Sequence, residues 1–238
     1  MRDTAAGPAA TAMPGGDARL RAVETWVFDL DDTLYDARLG LLGQINARMT
    51  AYIQRELGVD RARAEDVRGR YWRRYGITLT GLIRHHGVAP GHFLAEVHDL
   101  DYAALRPDPA LAGALARLAV GRRLIVHTNG ARAHAEQVLE RLGLSGAFAA
   151  VYAIEDKALV PKPQAEAYAR VIEADGFAPG RAAMIEDSLA NLVEPQRLGM
   201  ATVWLTAEGG RPVPRNADTT HVDHRIDRLV PFLDRLTR

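Results

Sequence analysis

Three carboxylates fall within four positions in Asp29-Leu30-Asp31-Asp32, directly after the apolar run Trp26-Val27-Phe28. Like charges this close repel, and burial at the tip of a strand penalises each further, so a cation, a proton or both are needed there. Other chemistry-bearing residues follow apolar stretches much later in the chain: Thr128-Asn129-Gly130, Lys162-Pro163 and Glu186-Asp187-Ser188. Together these types suit phosphoryl transfer. A carboxylate can attack phosphorus and carry it as an aspartyl phosphate. Asp29 and Asp31 share one side if the backbone stays extended, which offers one as nucleophile and the other as acid/base. Oxygens of Asp29, Glu186 and Asp187 suit a hard divalent ion such as Mg²⁺. The Thr128 hydroxyl and the N–H groups around Asn129 and Gly130 can hold phosphate oxygens, and Lys162 adds positive charge.

Such residues need a frame that brings them together. Val23–Leu30 reads as a first strand. Between Arg38 and Asp101 nothing alternates like a strand; Leu39, Leu42, Ile45, Met49, Tyr52 and Ile53 recur at helical steps, and Gly58, Gly76 and Gly87 offer stops. From Ala110 onward strands and helices alternate. The strands are 123–128, 150–154, 182–185 and 201–205, and a last helix spans 226–236. That alternation predicts right-handed crossovers and a parallel sheet covered on both faces, with ligands at the carboxyl ends of the strands. Every chemical group above falls at such an end. The expected fold is therefore α/β: a Rossmann-like three-layer core with a parallel sheet, plus a small all-helical cap inserted after the first strand. Its bounds are a flexible tail at 1–22, a core at 23–36 and 105–238, and a cap at 37–104.

Composition narrows the partners. The 238 residues are 47% hydrophobic and 25% charged, with 30 basic residues against 30 acidic ones and no cysteine. Balanced charge provides no global field for a nucleic-acid polymer or an anionic membrane. Without cysteine, a metal must be held by oxygen or histidine. No apolar run approaches the roughly 18 residues of a membrane span, and the start lacks the apolar centre of a secretory signal, so a cytoplasmic location is expected.

Asp29-Leu30-Asp31-Asp32-Thr33, the strand-terminal Thr128-Asn129-Gly130, Lys162-Pro163 and Ile185-Glu186-Asp187-Ser188 together resemble, in order, the four motifs of the haloacid dehalogenase superfamily. The resemblance covers roughly residues 23–205. It implies a Mg²⁺-dependent phosphomonoesterase in which Asp29 is the nucleophile and Asp31 the acid/base, with the Asp31 backbone carbonyl also on the metal. Thr128 and Lys162 stabilise the transferring group, and Asp187 is the main metal carboxylate, helped by Glu186. Dehalogenases of the superfamily lack the second aspartate, so Asp31 disfavours dehalogenation. The stretch Tyr71 to Leu82, followed by His85-His86-Gly87, looks like the cap of the pyrimidine 5′-nucleotidases, which implies UMP, CMP and related monophosphates as substrates. Glu186 departs from the aspartate common in that group. A sugar-phosphate phosphatase, a phosphomutase and a binding protein without catalysis are the alternatives.

The remaining candidates have plainer readings. Asp32 reads as a turn or capping residue. Arg61–Arg74 reads as a solvated helix face, with Arg74 the member best placed to meet an anionic nucleotide. Trp72 and Tyr75 could stack on a base or pack the cap, and His85 and His86 pack the cap or its surface. His127 is a packed strand histidine, and His221 with His224 completes no metal site.

Overall fold

The computed structural model describes residues 16–206 and 216–237. In chain order its elements are α1 (Gly16–Arg21), β1 (Thr25–Phe28), α2 (Leu41–Leu57), α3 (Arg61–Tyr75), α4 (Thr78–His86), α5 (Pro90–Val97), α6 (Pro109–Leu118), β2 (Arg123–His127), α7 (Arg132–Arg141), β3 (Ala150–Tyr152), α8 (Ala165–Asp175), β4 (Ala182–Glu186), α9 (Val193–Arg197), β5 (Ala201–Leu205), β6 (His224–Ile226) and α10 (Leu229–Leu236), with short 3₁₀ turns between them. The strands form one sheet in the order β3-β2-β1-β4-β5-β6. Every pairing is parallel.

Alternation in the strands explains the layers. Trp26 and Phe28 point to one face with Leu124, Val126, Ala183, Ile185 and Val203. Val27 points to the other with Ile125, Met184 and Trp204. Both faces are thus covered, as a parallel sheet requires. Helices α2 to α5 gather a separate cluster of buried side chains around Tyr52, Ile53, Val67, Leu82 and Phe93, which reaches the core through Ala131 and Ile154.

Three local readings change. The first strand stops at Phe28, because Leu30 closes a turn with its carbonyl accepting from the N–H groups of Thr33 and Leu34. Asp32 sits in that turn with φ 63, a left-handed conformation that aspartate tolerates. The stretch expected as a tail carries α1, whose Leu20 is fully buried in the main core; residues 1–15 lie outside the described residues. A sixth strand, His224–Ile226, precedes the last helix and delays its start to Leu229. Three residues are too few for alternation to announce it. Among the described residues, no helix is long and apolar enough to cross a membrane.

Candidate active site

The strand order reverses direction of growth between β1 and β4, which is where open sheets of this kind bind ligands. Register puts the groups side by side there. Phe28 pairs with Val126 on one side and Ile185 on the other. The next residue, Asp29, donates its N–H to the Ile185 carbonyl at 3.0 Å. Asp29 therefore stands between the end of β2 and Glu186.

Lys162 arrives from the loop before α8 and is almost fully buried. Its ammonium donates to Asp29 Oδ1 at 2.5 Å, to Glu186 Oε2 at 2.7 Å and to the His127 carbonyl at 2.8 Å. All three of its protons are thus placed. Asn129 fixes the loop: its Nδ2 donates to the Lys162 carbonyl at 3.0 Å and its Oδ1 accepts from the Lys162 N–H at 2.9 Å. The other oxygen of Glu186 accepts from the Ser188 N–H at 3.1 Å. Asp187 is oriented through its backbone, whose carbonyl accepts from the Trp204 indole at 2.9 Å. Carboxylate oxygens of Asp29, Glu186 and Asp187 lie within 4.8 Å of one another.

Asp31 has a different set of neighbours. Its Oδ1 accepts from the Tyr35 hydroxyl at 2.5 Å and meets His134 Nε2 at 2.7 Å. Thr128 Oγ1 accepts from the Gly130 N–H at 2.9 Å. That bond engages the Gly130 N–H, one of the groups expected from the sequence to hold a phosphate oxygen.

The family model of the haloacid dehalogenase-like hydrolases matches residues 23–197. The chain belongs to that family. Among curated proteins, the Enolase-phosphatase E1 of Sorangium cellulosum is 34% identical over 114 residues, which is 47% of this chain and 47% of that protein. The chain thus aligns with about half the length of that relative. Among solved structures, the hydrolase YfnB of Bacillus subtilis, bound to magnesium, superposes with a TM-score of 0.57 at 18% identity, covering 90% of this chain and 98% of that one. The L-2-haloacid dehalogenase of Xanthobacter autotrophicus gives 0.54 at 18% identity, covering 89% and 97%. Such identities establish a shared fold and leave the reaction to the site.

Electrostatics separates the two aspartates of this hydrolase. Burial, then the charge of Glu186, pushes Asp29 up to about 7 against the pull of Lys162. Burial also raises Glu186 to about 7. Lys162 itself is raised, its two carboxylates outweighing burial. One ammonium facing two buried carboxylates, with Asp187 beside them, leaves the group short of positive charge. A hard divalent cation on those oxygens fits that deficit. Asp31 is instead held at about 2: burial opposes, but His134 and the Tyr35 hydroxyl together overcome it. Its carboxyl is not among the converging oxygens, and a metal role for Asp31 would fall to its backbone carbonyl.

Sequence reasoning missed several residues here. Lys157 is fully buried, with its ammonium donating to the Thr128 carbonyl at 2.7 Å, so it anchors the Thr128-Asn129 turn from below. Burial, then the charge of Lys162, pushes it well below the ordinary lysine range. Tyr35 stands four positions after Asp31, a spacing that could have drawn notice. His134 lies in the first turn of α7 and carries no local signal. The histidines read as packing residues do pack: His127 meets the Tyr168 ring edge-on, and His85 and His86 pair with Tyr75 and Tyr71 at 2.7 and 2.8 Å. Trp72 is 57% exposed, and His221 Nε2 pairs with the Leu189 carbonyl.

Proposed function

We propose that this hydrolase is a Mg²⁺-dependent phosphomonoesterase working through an aspartyl phosphate on Asp29, with residues 37–104 as a cap over the site. One observation carries the reading. Asp29 is held by Lys162, and a second aspartate two residues later has its carboxyl fixed beside the Thr128-Asn129-Gly130 turn. A carboxylate oxygen of Asp29 attacks phosphorus in line, the ester P–O bond breaks, and Asp31 supplies the proton to the departing oxygen. A bound phosphate dianion favours that proton on Asp31, since a like charge raises a carboxyl pKa. Water then attacks the phosphoryl group, Asp31 takes its proton, and phosphate leaves Asp29. Thr128 and Lys162 face the charge on the transferring group. Mg²⁺, held by Asp29 and Asp187 with the Asp31 carbonyl and Glu186 nearby, would supply further charge neutralisation.

The substrate we propose is a small phosphate monoester, a pyrimidine nucleoside 5′-monophosphate such as UMP or CMP. Support comes from the aromatic and cationic end of α3, where Tyr75 and Gly76 lie against the lysine loop: Gln164 Nε2 donates to the Tyr75 carbonyl at 3.1 Å. Phosphate release should be measured from a panel of nucleotide and sugar monophosphates with Mg²⁺, with EDTA, and for Asp29→Asn. Turnover that EDTA abolishes, Mg²⁺ restores and Asp29→Asn reduces at least about 10³-fold is expected. No turnover of any ester would end the phosphatase reading. Sugar phosphates outpacing UMP and CMP would end only the pyrimidine assignment.

A further inference from the structure

We propose that His134 is a positioning residue that locks one oxygen of Asp31 and ties it to the cap through Tyr102, an inference that rests on the phosphatase reading above. The contacts form an unbroken chain. His134 is fully buried, and its Nε2 lies 2.7 Å from Asp31 Oδ1. Its Nδ1 lies 2.9 Å from the Tyr102 hydroxyl. That hydroxyl also lies 3.1 Å from the carbonyl of His98, at the end of α5. The His98 and His134 rings pack with centroids 5.0 Å apart, tilted by 34°.

Counting protons shows what the chain does to Asp31. A tyrosine hydroxyl has one proton to give. If Tyr102 gives it to Nδ1, the ring carries its own proton on Nε2 and donates it to Oδ1. If Tyr102 gives it to the His98 carbonyl, Nδ1–H donates to the tyrosine oxygen. Nε2 then faces Oδ1 either as a second N–H or as the acceptor of a proton on the carboxyl. Every arrangement places a proton between Nε2 and Oδ1. Tyr35 donates to that same Oδ1, so the side-chain donors found on this carboxyl converge on one oxygen. Oδ2 turns towards the Thr128-Asn129-Gly130 turn, 3.4 Å from where a Cβ at Gly130 would stand. Fixing Oδ1 thereby aims Oδ2 at the place where a leaving oxygen or a water must exchange its proton.

The anchors come from both crossings between core and cap. Tyr35 lies on the way out, and Tyr102 on the way back. The geometry of the acid/base is therefore set by both connecting segments, with His134 as the link that the core provides.

Leaving-group dependence tests this. Nitrophenolate departs without a proton, whereas an alkoxide needs one, and the later attack of water needs Asp31 in either case. His134→Ala, His134→Gln and Tyr102→Phe should be compared with wild type on p-nitrophenyl phosphate and on UMP or glycerol 2-phosphate, whichever wild type hydrolyses faster. For His134→Ala we expect kcat on the alkyl ester to fall about 10²-fold with KM within about twofold. On p-nitrophenyl phosphate the first turnover should persist as a burst of about one equivalent, followed by slow release. His134→Gln, which keeps an N–H donor, should recover part of the loss. Tyr102→Phe should show the same pattern at about tenfold and decides the matter if His134→Ala does not fold. Folded variants with wild-type kcat on the alkyl ester, or with equal loss in the first turnover of both esters, would overturn the positioning role alone. If wild type hydrolyses neither ester, the phosphatase reading falls and takes this inference with it.

Discussion

Asp29 and Asp31 are the same residue type two positions apart, yet the protein treats them in opposite ways. Asp29 belongs to the sheet: its N–H is in register with β4, and its carboxyl is pushed up to about 7, first by burial and then by Glu186. Asp31 belongs to the turn that leaves the sheet, where Tyr35 and His134 hold it at about 2 against burial. The contrast shows that placement differentiates identical side chains. The sheet side presents the proposed nucleophile Asp29 with charge to neutralise, and the turn side presents a carboxyl whose Oδ1 is held by Tyr35 and His134.

The sharpest way to break this contrast is to remove the ammonium of the sheet side. Lys162→Met leaves Asp29 and Glu186 buried without it, so we expect a stability loss of about 3–5 kcal/mol in denaturant unfolding and a kcat loss of about 10²–10³-fold. Adding Glu186→Gln should return part of the stability and none of the activity. A Lys162→Met protein as stable as wild type would show that the two carboxylates do not depend on the ammonium.

A smaller effect should come from the turn side. A Cβ at Gly130 would lie 3.0 Å from His134 Cδ2, 3.3 Å from Thr128 Oγ1 and 3.4 Å from Asp31 Oδ2. Gly130→Ala should therefore shift these groups by tenths of an ångström, lowering kcat about tenfold while unfolding stability changes by under about 1 kcal/mol. A large drop in stability with unchanged kcat in the folded fraction would contradict the placement.

The smallest effect is an acid one. Burial, then the charge of His134, lowers His98 from 6.5 to about 4. Below 6.5 the unfolded chain takes up the proton before the folded one, so His98 removes stability as pH falls from 7 towards 4 and adds no further loss below that. Replacing it by Asn should flatten that part of the Tm-against-pH curve by a few °C, roughly 2–4 °C. An unchanged curve would place His98 in water.

Much of the sheet side was legible in the sequence. Apolar runs ending in Asp29, Thr128 and Glu186 predict strands that end together, and parallel pairing then brings them to one edge without further information. On the turn side Asp31 and Thr128 were legible, but the partners of Asp31 were not. His134 and Tyr102 act through contacts 103 and 32 positions apart along the chain, and a histidine inside an amphipathic helix looks like any other. Lys157 was passed over because a lone lysine in a loop usually points to water, and only the fold reveals that this one is buried. The strand His224–Ile226 and the helix Gly16–Arg21 were missed because they are short and take their stability from the core they join.

The cap proposed for residues 37–104 would meet the core at two connections, which bears on any exchange of caps between relatives. A graft that cuts close to the first strand and at the start of α6 would replace Tyr35 and Tyr102 along with the cap and leave His134 facing foreign partners. Junctions that keep the Tyr35, Tyr102 and His134 contacts together lie between Tyr35 and α2 and between α5 and Tyr102, so the portable unit is smaller than the inserted helices and their linkers.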